Sequence, residues 1–165
     1  MPDTSDYLAR IREYASGKDP LEMQRQTAEI LSGLIDGASH AQLTTRSVPG
    51  KWSIAEILAH LAEDEIASAW RYRQMVEHSG IELPGFDQDM WARTGNYAAR
   101  DPQESLSLFR LLRKADLDFL SGLSTEQWEC FGIHAERGRI TVRELATHMA
   151  GHDANHLEQI RSILS

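Results

Sequence analysis

Seven histidines in 165 residues are the side chains best suited to chemistry, and three of them, His148, His152 and His156, stand one helical turn apart. Histidines at i and i+4 project from one face of a helix and can close on a single cation through bonds of about 2.0–2.1 Å. On a wheel of about 100° per residue, His152 and His156 fall on or beside the apolar stripe of Leu145, Met149, Ile160 and Ile163. His148 lies at the margin of that stripe. A buried imidazole needs a partner for each ring nitrogen, so two stacked ones imply a polar network or a metal ion. The competing reading of the same spacing is a set of helix-edge histidines with no ligand.

Two histidines seldom hold a metal tightly, which directs attention to a third ligand on another helix. His60 stands beside the face of Ile54, Ile57, Leu58 and Leu61 and can look inward between helices. Asp64, one turn later, reads as a fourth ligand, as an acceptor orienting an imidazole N–H, or as part of the acidic run Glu63-Asp64-Glu65 facing water. The remaining histidines are weaker candidates. His40 falls in a polar loop, and His78 in a last helical turn where a cation suits the dipole. His134 is placed between Gly132 and Gly138, from where it could reach the mouth of a pocket at the end of a bundle. Cys130 has no evident partner to activate it and is not a candidate nucleophile.

The elements that must position these residues announce themselves by their caps. Asp19-Pro-Leu-Glu22, Ser53-Ile-Ala-Glu56, Asp101-Pro-Gln-Glu104 and Thr141-Val-Arg-Glu144 all fit a capping box, two of them with Pro at the first helical position. Apolar residues at three- and four-residue spacing follow each cap. The pattern predicts long helices at roughly 19–36, 53–78, 101–122 and 141–164, and a shorter one near residues 5–15. Strand signals are nearly absent, so the expectation is an all-α protein: a single four-helix-bundle domain over residues 1–165. The connections 79–100 and 123–140 exceed the usual length for bundles and carry Trp91, Tyr97, Trp128 and Phe131. They are expected to be ordered, and to let consecutive helices run parallel or the chain cross one end of the bundle.

Composition narrows the classes. Apolar residues make up 41% and charged residues 25%, as in soluble globular proteins. No apolar run is long enough for a membrane span. The first residues lack the basic stretch and apolar block of a secretory signal, and one cysteine suits a reducing compartment, so a cytoplasmic location is expected. Seventeen basic against twenty-five acidic residues give a net charge of −8, which disfavours nucleic acid as a partner.

The segments GKWSIAEILAHLAEDE (50–65), FDQDMWA (86–92) and GRITVRELATHMAGHDANHLEQI (138–160) resemble, in order, the DinB-like superfamily, and within it the YfiT-type candidate metal-dependent hydrolases. The likeness runs over about residues 19–165. It implies a four-helix bundle with a divalent metal held by three histidines, which on this chain are His60, His152 and His156, with His148 as the runner-up. It also matches Asp87 to an acidic loop residue near the metal. Three neutral histidines with one open position form a catalytic type of site, able to lower the pKa of a water or hold a thiolate. The function expected is thus hydrolysis or thiol (S-)transfer on a small-molecule substrate, with a low-molecular-weight thiol as one candidate. Asp64 or Asp87 would then serve as general base or as support for a ligand. Zinc is the expected ion and nickel the alternative, since three imidazoles suit both. Related bundles often pair, so a homodimer is expected. The contrasting class is a non-enzymatic, stress-associated scaffold whose metal only staples the bundle.

Overall fold

The computed structural model describes residues 4–165. Its long helices are α1 (Thr4–Ala15), α2 (Pro20–Ile35), α4 (Ile54–Glu77), α6 (Pro102–Ser121) and α8 (Val142–Leu164), each within about two residues of its expected bounds. Short helices α3 (His40–Thr44), α5 (Gln88–Thr94) and α7 (Thr125–Trp128) lie in the connections. The capping box closes at two of the four expected starts: Ser53 with Glu56, and Thr141 with Glu144. At the other two only half of it forms. Asp19 accepts from the backbone of Leu21 and Glu22, but the Glu22 carboxylate is taken by Arg25 at 2.6 Å and Gln26 at 2.7 Å. Asp101 caps α6 in the same one-sided way, through Gln103 and Glu104.

Helices α2, α4, α6 and α8 form the bundle. Helix α2 packs on α6 and α8, and α4 packs on the same two, so α2 and α4 sit diagonally and the chain between them crosses the bundle. That crossing link, residues 36–53 with α3 inside it, is a third long connection beyond the two expected from sequence. One apolar cluster, around Leu31, Ile57, Leu61, Phe109 and Ile160, fills one part of the interior. A second, around Tyr72, Met75, Leu120, Leu145 and Met149, fills another.

The mostly helical bundle expected from the sequence is what the structure shows, with one small sheet added to it. Three short strands, β1 (Ile81–Leu83), β2 (Phe131–His134) and β3 (Gly138–Thr141), form a small sheet in the order β1-β2-β3. Strand β1 is parallel to β2, and β2 is antiparallel to β3. Strands of three or four residues are too short to show an alternating pattern, and β1 is held only by pairing with β2, about fifty residues away, while β2 and β3 form a local hairpin. The sheet unites the two long connections, confirming that both are ordered. Among the described residues, no helix is long and apolar enough to cross a membrane.

Two features fix the site's helices. Arg113 is buried where all four bundle helices meet. It donates to Glu65 of α4 at 2.7 and 2.8 Å, to Asp153 of α8 at 2.5 and 3.2 Å, and to the Gln24 carbonyl of α2 at 3.1 Å. Thr27 donates a further bond to Asp153, at 3.0 Å. The other feature is Gly151, at which α1 lies directly on α8: a Cβ there would stand 2.2 Å from the Ile11 carbonyl oxygen. Because that neighbour is backbone, it cannot swing aside.

Arg113→Ala leaves two buried carboxylates without their cation, and is expected to lower unfolding free energy by about 3–5 kcal/mol in urea denaturation. Gly151→Ala must push α1 off α8. An expected loss of at least about 1–3 kcal/mol, with faster proteolysis in residues 4–18, would be seen in the same melts and in limited digestion.

Candidate metal centre

The three histidines singled out by spacing and by resemblance converge. His60 sits on α4, seven residues after its cap at Ser53, while His152 and His156 lie one turn apart on the adjoining α8. His152 Nε2 is 3.1 Å from His60 Nε2 and 3.1 Å from His156 Nε2. One ligand atom from each of the three lies within 4.8 Å of the others, and all three residues are buried. Bonds of about 2.0–2.1 Å at a tetrahedral angle place neighbouring ligand nitrogens about 3.3 Å apart, close to the observed spacing. Trp52 packs its ring 4.9 Å from that of His60, with Tyr97 edge-on to Trp52 at 6.4 Å, so one side of the cluster is aromatic.

Hydrogen placement shows why this donor set suits a cation. The Gln159 amide oxygen lies 2.8 Å from His156 Nδ1, so the hydrogen sits on Nδ1 and the Nε2 lone pair points into the cluster. His152 Nδ1 is buried without a hydrogen-bond partner, and Asp64 Oδ2 is 3.6 Å away. If His152 carries its hydrogen on Nδ1, facing Asp64, its Nε2 lone pair confronts that of His156. If the hydrogen is on Nε2, the Nδ1 lone pair confronts the carboxylate. Either tautomer leaves one repulsive contact, and a cation among the three Nε2 atoms removes it.

Burial also sets the charge state. It holds His60 and His152 well below the ordinary imidazole range, reinforced by the neighbouring rings, and brings His156 down to about 4. All three are therefore neutral at pH 7, as metal ligands must be. Burial pushes the Asp64 carboxyl up to about 6, with Arg71 pulling the other way. The Tyr7 phenol of α1 is raised to about 12, first by burial and then by the Asp64 carboxylate.

Comparison with known proteins gives the family. The profile of the DinB superfamily matches residues 23–160. The chain belongs to the DinB superfamily. A protein of Oceanobacillus iheyensis is 27% identical to this superfamily member over 135 residues, 81% of this chain and 77% of its own. YfiT of Bacillus subtilis is 22% identical over 134 residues, 81% of this chain and 75% of its own. Both are named as candidate metal-dependent hydrolases. The solved structure of YfiT, described as having an unusual four-helix bundle topology, aligns with a TM-score of 0.82 at 19% identity, over 87% of this chain and 83% of YfiT. A mycothiol-dependent maleylpyruvate isomerase aligns with a TM-score of 0.68 at 15% identity, over 86% of this chain and 59% of that one. The likenesses to solved structures show a shared fold, here extended to nearly the whole DinB-superfamily domain.

The other sequence candidates fall around the cluster. His148 is outside the converging set, its ring 6.4 Å from that of His152. Asp64 is buried beside His152 and does not face water, because the acidic run divides: Glu63 pairs with Arg100 at 2.6 Å and Glu65 with Arg113. Asp87 is exposed and caps α5, its Oδ1 accepting from Asp89 and Met90 at 2.9 Å each, and it is not one of the converging residues. His134 is buried at the end of β2 and is not one of the converging residues. Sequence reasoning missed Gln159, Arg113 and Asp153. The signal available for Gln159 was its place three residues after His156, the helical spacing at which side chains meet.

The buried imidazoles should give the metal-free protein an acid limit. Unfolded histidines gain protons near pH 6.5, whereas folded His156 does so near 4 and His148, lowered mainly by burial, near 3. The unfolded state thus binds more protons between these values, and stability falls as pH drops through that window. Asp64 and Glu65, raised to about 6 and about 7, and Asp116, also raised by burial, act in the opposite sense but are outnumbered by the five lowered imidazoles, His60, His134, His148, His152 and His156. Thermal melts in EDTA should show the melting temperature falling between pH 6.5 and 4, by less in His148→Gln than in wild type.

Proposed function

We propose that the protein is a metal-dependent enzyme that holds one divalent ion through His60, His152 and His156. The observation carrying this reading is the convergence of three buried, neutral Nε2 atoms on one point, with the outer Nδ1 of His152 left without a hydrogen-bond partner. When bound there, such an ion supplies Lewis acidity and lowers the pKa of a water or thiol at its remaining position. Gln159 fixes the tautomer of His156 from outside the cluster. Asp64 orients His152 by facing its Nδ1, and a carboxyl poised near 6 can also take up a proton during turnover. Zinc is the ion proposed, with nickel the alternative for the same three imidazoles.

Hydrolysis is favoured by the names of the sequence relatives, and thiol transfer by the likeness in fold to a mycothiol-dependent isomerase. Both reactions use the same histidines on a small-molecule substrate. The test begins with elemental mass spectrometry of the tag-free chain and of His60→Ala, His152→Ala, His156→Ala and His148→Ala. About one zinc or nickel per chain is expected in wild type and His148→Ala, with loss in the other three variants. A wild type that takes up no ion from excess metal would overturn the proposal. Cobalt substitution then separates the chemistries. A thiol that shifts the visible spectrum supports S-transfer, and a site perturbed by no small ligand points to a metal that only staples the bundle.

A further inference from the structure

A cavity of about 310 Å³ lies between α1, the β2–β3 hairpin and the first turns of α8, with Leu8, Ile11 and Ile140 providing apolar walls and four arginines its charge. These are Arg12, Arg137, Arg139 and Arg143. Elsewhere in this acidic protein, apart from Arg10, Arg71 and Arg93, the arginines are matched to carboxylates among the described residues: Arg73 to Asp116, Arg100 to Glu63, Arg113 to Glu65 and Asp153 among them. At the cavity only Arg143 is, through Glu129 at 3.0 Å. Arg12, Arg137 and Arg139 form no ion pair among the described residues. Glu144 also lines the cavity, but its Oε2 accepts from the Thr141 backbone at 2.8 Å and hydroxyl at 3.0 Å in the capping box. Arg139 lies over the Phe131 ring at 4.2 Å.

Arg137 is the informative member. It occupies the hairpin turn just before Gly138, whose φ of +69° closes the turn, and its side chain is half-buried. Burial and the nearby Arg71 both disfavour its charge, with Asp64 and Glu136 opposing them. The same cations act on His134, which burial, Arg137 and Arg71 together bring down to about 4. A partly desolvated guanidinium with no carboxylate in ion-pair contact is costly unless an anion completes it, and its planar fork suits the paired oxygens of carboxylate or phosphate.

We propose that this cavity is an anion subsite, in which Arg137, assisted by Arg12 and Arg139, holds a carboxylate or phosphate group. The apolar walls would take the adjoining carbon chain. His148 lines the cavity, and its ring stacks at 26° and 6.4 Å on that of the metal-centre residue His152, so cavity and cluster share a wall. Anion binding stands on the arginines alone. Its assignment as the part of the site that selects an anionic substrate rests on the metal-enzyme reading above.

Isothermal titration calorimetry of the full chain with bound metal, using succinate and inorganic phosphate as probes, tests this. Binding of at least one probe at about one per chain is expected, with succinate and phosphate distinguishing an organic acid from a phosphate ester. Arg137→Gln should weaken it by about tenfold or more, and Arg93→Gln, on exposed α5, should leave it unchanged. Binding should persist in whichever of His60→Ala and His156→Ala retains the wild-type circular dichroism. No binding of either probe, or equal binding to wild type and Arg137→Gln, overturns the proposal. So does binding that disappears with the histidine variant but survives in Arg137→Gln, since the anion would then sit on the ion. Metal content of Arg137→Gln, expected at the wild-type level, separates failure of the anion subsite from failure of the metal centre.

Discussion

The guanidinium of Arg113 is a charge withdrawn from water at the one place where all four bundle helices meet. A buried cation is tolerable only if its donors are met, and here carboxylates from α4 and α8 and a carbonyl from α2 meet them. Each of those acceptors belongs to a different helix, so their relative rotation and height are constrained together. Apolar packing alone would allow many neighbouring arrangements at similar cost, whereas an ionic junction with five directed bonds allows few. The candidate metal centre depends on this constraint directly. Asp153 follows His152 in sequence, and Glu65 lies five residues after His60, so the junction that pins these carboxylates also sets how the two histidine-bearing helices face each other.

A cluster of three imidazoles has its own requirement, which is exclusion of water without satisfaction from within. Trp52 covers His60, Gln159 occupies the outer nitrogen of His156, and Asp64 faces that of His152. These neighbours turn the three Nε2 atoms inward, towards one point. Such an arrangement is the pattern expected of a site preorganised for metal.

The opposing features of the surface around this interior suggest a division of labour. Most of the molecule is acidic, with most of its arginines matched to carboxylates. Near α1 and the hairpin the balance reverses, because β2 and β3 bring Arg137 and Arg139 from one connection against Arg12 from the first helix. Close approach of α1 to α8 is possible because residue 151 has no side chain. A glycine placed mid-helix costs about 1 kcal/mol relative to alanine, and that cost was the only sequence-level hint of the contact.

Local chemistry in the sequence determined a great deal. Caps at Asp19, Ser53, Asp101 and Thr141 and a 3.6-residue apolar period are properties of adjacent residues, so the long helices and their ends could be read directly. The i, i+4 pair His152 and His156 is likewise fixed by helical geometry alone. The third member of the set was not: periodicity left His60 at a boundary, and only resemblance to a family singled it out. What the tertiary structure decided was every relation between distant segments: which face of α4 meets α8, whether Asp64 and Glu65 see water, and where Arg113 finds its partners. It also decided the small sheet, in which β1 gains its hydrogen bonds from a strand about fifty residues away, and the diagonal placement of α2 and α4. Those outcomes depend on desolvation and on pairing between side chains that share no local pattern, and a charged residue in a helix carries the same letter whether it ends in solvent or at the centre of the bundle.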